Sequence, residues 1–87
     1  MNRPEAAIFG KRLRDIRTAR DMSQADLAAA VEDRGGRLTS NYVSDLERGL
    51  KAPTLTMILK LSRALDTPVA QLLSDFTPEI VRKLRLE

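Results

Sequence analysis

The sequence predicts an all-α fold of five or six short helices. Residues 1–75 form one compact five-helix domain and residues 76–87 a short additional helix. Three observations carry this. Apolar residues recur at helical spacing in segment after segment. No segment alternates apolar and polar residues long enough to be a strand. Helix-start signals stand before the apolar stripes: Ser23, Thr39 or Ser40, Pro53-Thr54, Asp66-Thr67-Pro68 and Thr77-Pro78.

Taken in order, Asn2 to Glu5 form an arm, with Pro4 suited to the first turn of a helix. The first helix runs to about Ala19, with Ile8, Leu13 and Ile16 on one stripe and Arg and Lys opposite. Ser23 caps the second helix, with Asp26 three residues on as its capping partner. Leu27, Ala28 and Val31 point inward, and the run of alanines suits close helix approach. Residues 32–37 are polar with paired glycines and read as a loop. The third helix is capped by Thr39 or Ser40, turns Val43 and Leu46 inward and ends at Gly49. The fourth, from about Leu55 to Leu65, is expected to bury Leu55, Ile58, Leu61, Ala64 and Leu65. Asp66 or Thr67 is expected to cap the fifth, with Val69, Leu72 and Leu73 inward. Ile80, Val81 and Leu84 follow the last start signal at helical spacing.

At 87 residues the chain is one domain with a modest core. Aromatic residues are only 3%, so the core is aliphatic and there is no aromatic platform for single-stranded bases. With no Cys and no His, disulfides, thiolate metal sites, Ser-His triads and thiol nucleophiles lose their usual parts. No enzyme, metal site or cofactor is expected, since Gly35-Gly36 alone is not a phosphate loop. No apolar run approaches the ~20 residues of a membrane span, and the N-terminus lacks a signal-peptide apolar stretch. The chain is expected in the cytoplasm and off the membrane. The net charge of +3 is uneven, with Lys11, Arg12, Arg14, Arg17 and Arg20 on the first helix and Arg82, Lys83 and Arg85 on the last. Such a stripe is compatible with phosphate binding, but most charged helix faces are only solvated.

The second and third helices are the informative pair. The third opens with small polar side chains and closes at Glu47-Arg48-Gly49, as a helix built to put its first turn against base edges would. Gly10 to Arg14 with Arg17, Met22 to Ala28, Tyr42 to Gly49, Pro53-Thr54-Leu55 and Ala64-Leu65 with Val69 and Leu72-Leu73 stand in a fixed order and spacing. In that order the chain resembles the Cro/repressor-type (XRE-like) helix-turn-helix transcription regulators, over about Ile8 to Leu73.

The resemblance implies a repressor-like domain on double-stranded DNA. It puts Gln24 at a phosphate and as a brace of the third helix. It puts Ser40, Asn41 and Asp45 at bases, with Thr39 and Ser44 nearby. Asn bonds adenine bidentately and Asp accepts from a cytosine amino group, although Asp45 near phosphates needs a donor or a bracing Arg. Ser40 is equally a cap. Tyr42 faces a thymine methyl, a phosphate or the Gly35-Gly36 loop. Arg48 and Lys51 resemble the family's phosphate-binding loop. Arg17 and Glu47 are implied to form a structural ion pair between the first and third helices.

One departure is the connector. Relatives use a turn of three or four residues, whereas six lie between Val31 and Leu38. Arg34 and Arg37 sit there, as phosphate contacts or in a tolerated insertion, with Arg37 the better contact candidate.

Ile80, Val81 and Leu84, with Leu86, either fold back on Phe76 or form a two-fold interface, which Met57 and Leu59 could join. A reader of palindromic half-sites needs such an axis. The expected function is a homodimeric transcription regulator, a small repressor or a restriction–modification controller. The alternative is an antitoxin-like module that binds a toxin and regulates its own operon.

Overall fold

The computed structural model describes residues 4–32 and 38–86. Six helices follow one another: α1 (Pro4–Ala19), α2 (Gln24–Glu32), α3 (Ser40–Glu47), α4 (Leu55–Ala64), α5 (Val69–Leu72) and α6 (Pro78–Leu84). No strand occurs among the described residues. The helices begin where the polar caps stand. The Ser23 hydroxyl accepts from the Asp26 amide at 2.9 Å, and the Asp26 carboxylate accepts from the Ser23 amide at 2.8 Å, a reciprocal capping box. Thr39, rather than Ser40, caps α3, accepting from the Tyr42 amide at 3.0 Å. Thr54 and Thr77 cap α4 and α6 in the same way.

The core is aliphatic except for Phe9, the one aromatic ring buried among the described residues: it gathers Phe9, Leu13 and Ile16 of α1, Leu27, Ala28 and Val31 of α2, and Val43 and Leu46 of α3, with Leu61, Leu65 and Leu72. α3 packs against both α1 and α2, so the core fixes its position from two sides. Two glycines let the backbones meet. A Cβ on Gly10 would stand 2.1 Å from the carbonyl oxygen of Leu46 and 2.7 Å from that of Glu47, so α1 lies directly on the last turn of α3. Gly49 takes φ +74°, the left-handed region glycine favours. There its amide donates to the Leu46 carbonyl and that of Leu50 to the Asp45 carbonyl, closing α3 in a Schellman turn.

Four expectations need correction. Leu55 is 70% exposed rather than buried, because as the first residue of α4 it lies beyond the edge of the core that Leu61 and Leu65 fill. Met57 packs against the core instead of standing apart from it. Ile58 and Ala64, expected to be buried, are only half-buried, packed against the core from its edge. Neither Asp66 nor Thr67 caps α5. Asp66, at φ +49°, is the left-handed residue that ends α4, and a cap needs extended backbone. The Thr67 hydroxyl instead donates to the Leu65 carbonyl. Phe9 and Ala6, outside the expected α1 stripe, are buried.

Candidate nucleic-acid interface

The sequence around α3 divides by angle. At about 100° per residue, Ser40, Asn41, Ser44, Asp45 and Arg48 fall within an arc of about 140°, while Val43, Leu46 and, at the border beside Ser40, Glu47 fall outside it. The second group is turned inward: Val43 and Leu46 are fully buried and the Glu47 carboxylate is nearly so. The first is the outer face, where Ser40, Asn41 and Arg48 are exposed and Ser44 and Asp45 half-buried. Among the described residues the side chains of Ser40, Asn41 and Ser44 make no hydrogen bond.

What holds this face is polar. Arg17 donates to both Glu47 oxygens, Nε to Oε2 at 2.6 Å and Nη2 to Oε1 at 2.9 Å. Its Nη1 donates to the Met22 carbonyl at 2.6 Å. Gln24 Nε2 donates to Glu47 Oε1 at 3.1 Å. The two charged side chains are only 10% and 3% exposed. A carboxylate this dry is tolerable only with its oxygens satisfied, and the planar guanidinium fork does that. The bonds to Glu47 raise the pKa of Arg17 above its ordinary value, against the opposing effect of burial. The implied structural pair is thus in place, and Gln24, at the start of α2, braces α3 through it.

Charges flank the outer face. The Asp45 carboxylate pairs with Arg48 at 3.2 Å and with Lys51 at 3.5 Å. The Lys51 ammonium also stands 5.4 Å from the centroid of the Tyr42 ring. Asp45 is therefore braced by cations rather than bare, and Tyr42 lies half-buried against the core beneath Lys51. Arg34 and Arg37 lie outside the described residues, as does the Gly35-Gly36 loop.

The helix-one stripe is partly spent internally. Arg17 serves Glu47, Arg20 donates to the Asp66 carbonyl at 3.0 Å, and Arg12 grips Asp75 through Nε at 3.0 Å and Nη2 at 2.6 Å. The Arg12–Asp75 pair was not foreseen. Its partners stand 63 residues apart, and no local spacing rule joins them. None of the α6 residues is buried. Ile80 and Leu84 are half-buried and Val81 exposed. Ile80 borders an open groove with Ile8, Lys11 and Asp75.

Comparison with known proteins matches residues 13–72 to the helix-turn-helix family model. The chain is 31% identical over 78 residues to the cryptic phage CTXphi transcriptional repressor RstR of Vibrio cholerae, covering 90% of this chain and 66% of that one, just under two thirds of its length. It is 39% identical over 71 residues to control protein C.BamHI of Bacillus amyloliquefaciens, covering 80% of each. Among solved structures, the restriction-modification controller protein C.AhdI of Aeromonas hydrophila superposes with a TM-score of 0.71 at 40% identity, over 78% of this chain and 91% of that one. The matched span contains the Arg17–Glu47 brace and the outer face of α3. The chain belongs to the XRE-type helix-turn-helix family of DNA-binding transcription regulators.

Proposed function

We propose that the chain acts in the cytoplasm as a homodimeric regulator, of the small repressor or restriction–modification controller type, that reads the DNA major groove with α3. The observation that carries this is the division of α3: an outer face of small polar side chains that make no hydrogen bond among the described residues, on a helix pinned from behind by Arg17, Glu47 and Gln24. Ser40, Asn41 and Ser44 are the base readers, with Thr39 and Tyr42 at the edge of the contact. Arg48 and Lys51, together with Arg37 of the connector, serve phosphates, which set register and affinity rather than sequence. Gln24 has one amide hydrogen committed to Glu47, and its second amide hydrogen can donate to a phosphate. Such a protein binds and positions; it performs no catalysis. The antitoxin alternative draws no support from these relatives.

Residues 76–87 supply the two-fold contact in this reading. Ile80, Val81 and Leu84 lie beyond the matched span, on a helix with no buried residue. One short reading helix gives limited affinity, whereas two readers about one helical turn apart, near 34 Å, double the contacts and select near-palindromic sites. The test is a binding titration on genomic fragments selected by the protein, repeated across salt concentrations. The expected log–log slope is roughly −5 or steeper for a dimer. A flat salt dependence on duplex DNA overturns the assignment. Sedimentation tests the dimer separately: Ile80→Asp with Leu84→Asp should yield a folded monomer that binds without cooperativity. A variant that dimerises as well as the wild type removes α6 from the interface.

A further inference from the structure

The outer face of α3 contains an apparent contradiction. Phosphate binding demands cations there, yet two of the described cations at the face, Arg48 and Lys51, are both engaged by one carboxylate on it. This is built in by the chain path. Arg48 follows Asp45 by three residues, one helical turn on. Lys51 is carried back by the reversal at Gly49, where the Leu50 amide bonds the Asp45 carbonyl. The Asp45 side chain is half-buried, whereas Arg48 and Lys51 are both more than half exposed. The carboxylate is thus the fixed member, and the cations are the ones with water and space to swing away.

Moving Arg48 and Lys51 to phosphates costs them this partner. It also leaves the carboxylate facing a polyanion with nothing to accept from. Only a base that offers a donor restores the balance. In the major groove guanine and thymine present acceptors at O6 and O4, which repel a carboxylate. Adenine pairs its amino donor with an adjacent N7 acceptor, and cytosine offers its N4 amino group. We propose that Asp45 is a specificity-determining residue that masks Arg48 and Lys51 on random DNA and releases them where a cytosine amino group takes their place.

This rests on α3 being the reading helix and adds to it a device against non-specific binding. The carboxylate contributes little attraction of its own. Its effect is to weaken every wrong site, so the ratio of specific to non-specific affinity rises. The experiment compares the wild type with Asp45→Asn, in the natural background and in one carrying Arg48→Gln and Lys51→Gln, by titration on random-sequence duplex over a range of salt. Sequencing of fragments each protein selects follows. Asp45→Asn should tighten random-duplex binding by about tenfold for a dimer with two such pairs in each protomer. It should also steepen the salt slope by roughly 1 per protomer. The gain should largely vanish in the double-glutamine background, and a cytosine position in the selected motif should lose its preference. An unchanged random-duplex affinity overturns the proposal. So does an equal gain in both backgrounds, which would mean plain repulsion of phosphate rather than masking, or a selected motif whose cytosines survive Asp45→Asn. If the wild type shows no salt-dependent duplex binding at all, the fault lies with the reading of α3 itself. The far-UV circular dichroism of each variant shows whether it is folded.

Discussion

Two arginine–carboxylate pairs in this molecule have nearly the same geometry and opposite settings. Arg17–Glu47 and Arg12–Asp75 are both bidentate, with shortest contacts of 2.6 Å. The first is almost dry and joins α1 to the back of the reading helix. The second has side chains 32% and 39% exposed and joins α1 to the segment that leads into α6. Water decides what each is worth. A buried pair is costly to break, because the surviving charge has no solvent to turn to. An exposed pair is screened, and its loss is repaired by hydration. The molecule is therefore stiff where it must present α3 and lightly tied where it carries α6. That suits a reader whose recognition surface is fixed, and it is compatible with the proposed role of α6 in a two-fold contact.

The largest effect should come from breaking the dry pair. Glu47→Ala leaves the Arg17 guanidinium buried beside a cavity and removes the acceptor of Gln24. The expected loss is about 3–5 kcal/mol in chemical denaturation. Replacing both residues with apolar ones of similar volume should cost less than Glu47→Ala alone. If the two single losses simply add in a double-mutant cycle, the side chains are not coupled and the contrast between the two pairs fails.

Next comes Gly10→Ala, which tests the same junction without touching a charge. Alanine favours a helix over glycine by about 1 kcal/mol, so at an exposed site the change would stabilise. Here the added methyl meets two α3 backbone carbonyls, which cannot rotate aside. A net loss of about 1–3 kcal/mol is expected, with weaker DNA binding as α3 is pushed off α1. Thermal unfolding checks it, and a raised melting temperature would mean that the helices part easily and the junction is not stiff.

Those two positions also show what a sequence can disclose. Cap residues and inward apolar stripes follow local rules, so Ser23 with Asp26, Leu27, Ala28 and Val31, and Val43 with Leu46 could be placed from spacing alone. Arg17–Glu47 was legible only through resemblance to a family. Arg12–Asp75 and the demand on Gly10 depend on backbones that meet across the fold, where no local spacing points. Leu55 misled because periodicity describes a helix and not the reach of the core beneath it. The outer face of α3 was named residue by residue, but the double engagement of Asp45 needed the turn at Gly49 to bring Lys51 back.

A smaller effect separates the outer face from its flank. Asn41→Ala should cost about 1–3 kcal/mol on the selected site and little on random duplex, because its side chain is exposed and serves no packing. Lys51→Ala should instead weaken the selected site with a salt slope shallower by roughly 1 per protomer, and cost less on random duplex, where Asp45 holds the ammonium. Stability should be unchanged in the first case. An Asn41→Ala protein that binds its site as tightly as the wild type would show that α3 presents a different edge to the groove.

The smallest effect should be found at the exposed pair, and its sign with pH is fixed. The hydrogen bonds from Arg12 hold the Asp75 carboxyl below the usual carboxylate range. A carboxyl with a lowered pKa in the folded state stabilises the fold above its unfolded pKa, and that contribution is lost as pH falls through the folded value. Asp75→Asn keeps the shape and removes the charge. Its melting temperature should sit slightly below that of the wild type at neutral pH, by far less than the Glu47→Ala shift, since solvent screens side chains this exposed. The two curves should converge in acid, once the wild-type carboxyl is protonated. A gap that persists unchanged into acid would mean that Asp75 acts through shape and not through charge. A neutral-pH gap as large as that of Glu47→Ala would mean that water does not screen this pair, and the contrast between the two pairs would collapse.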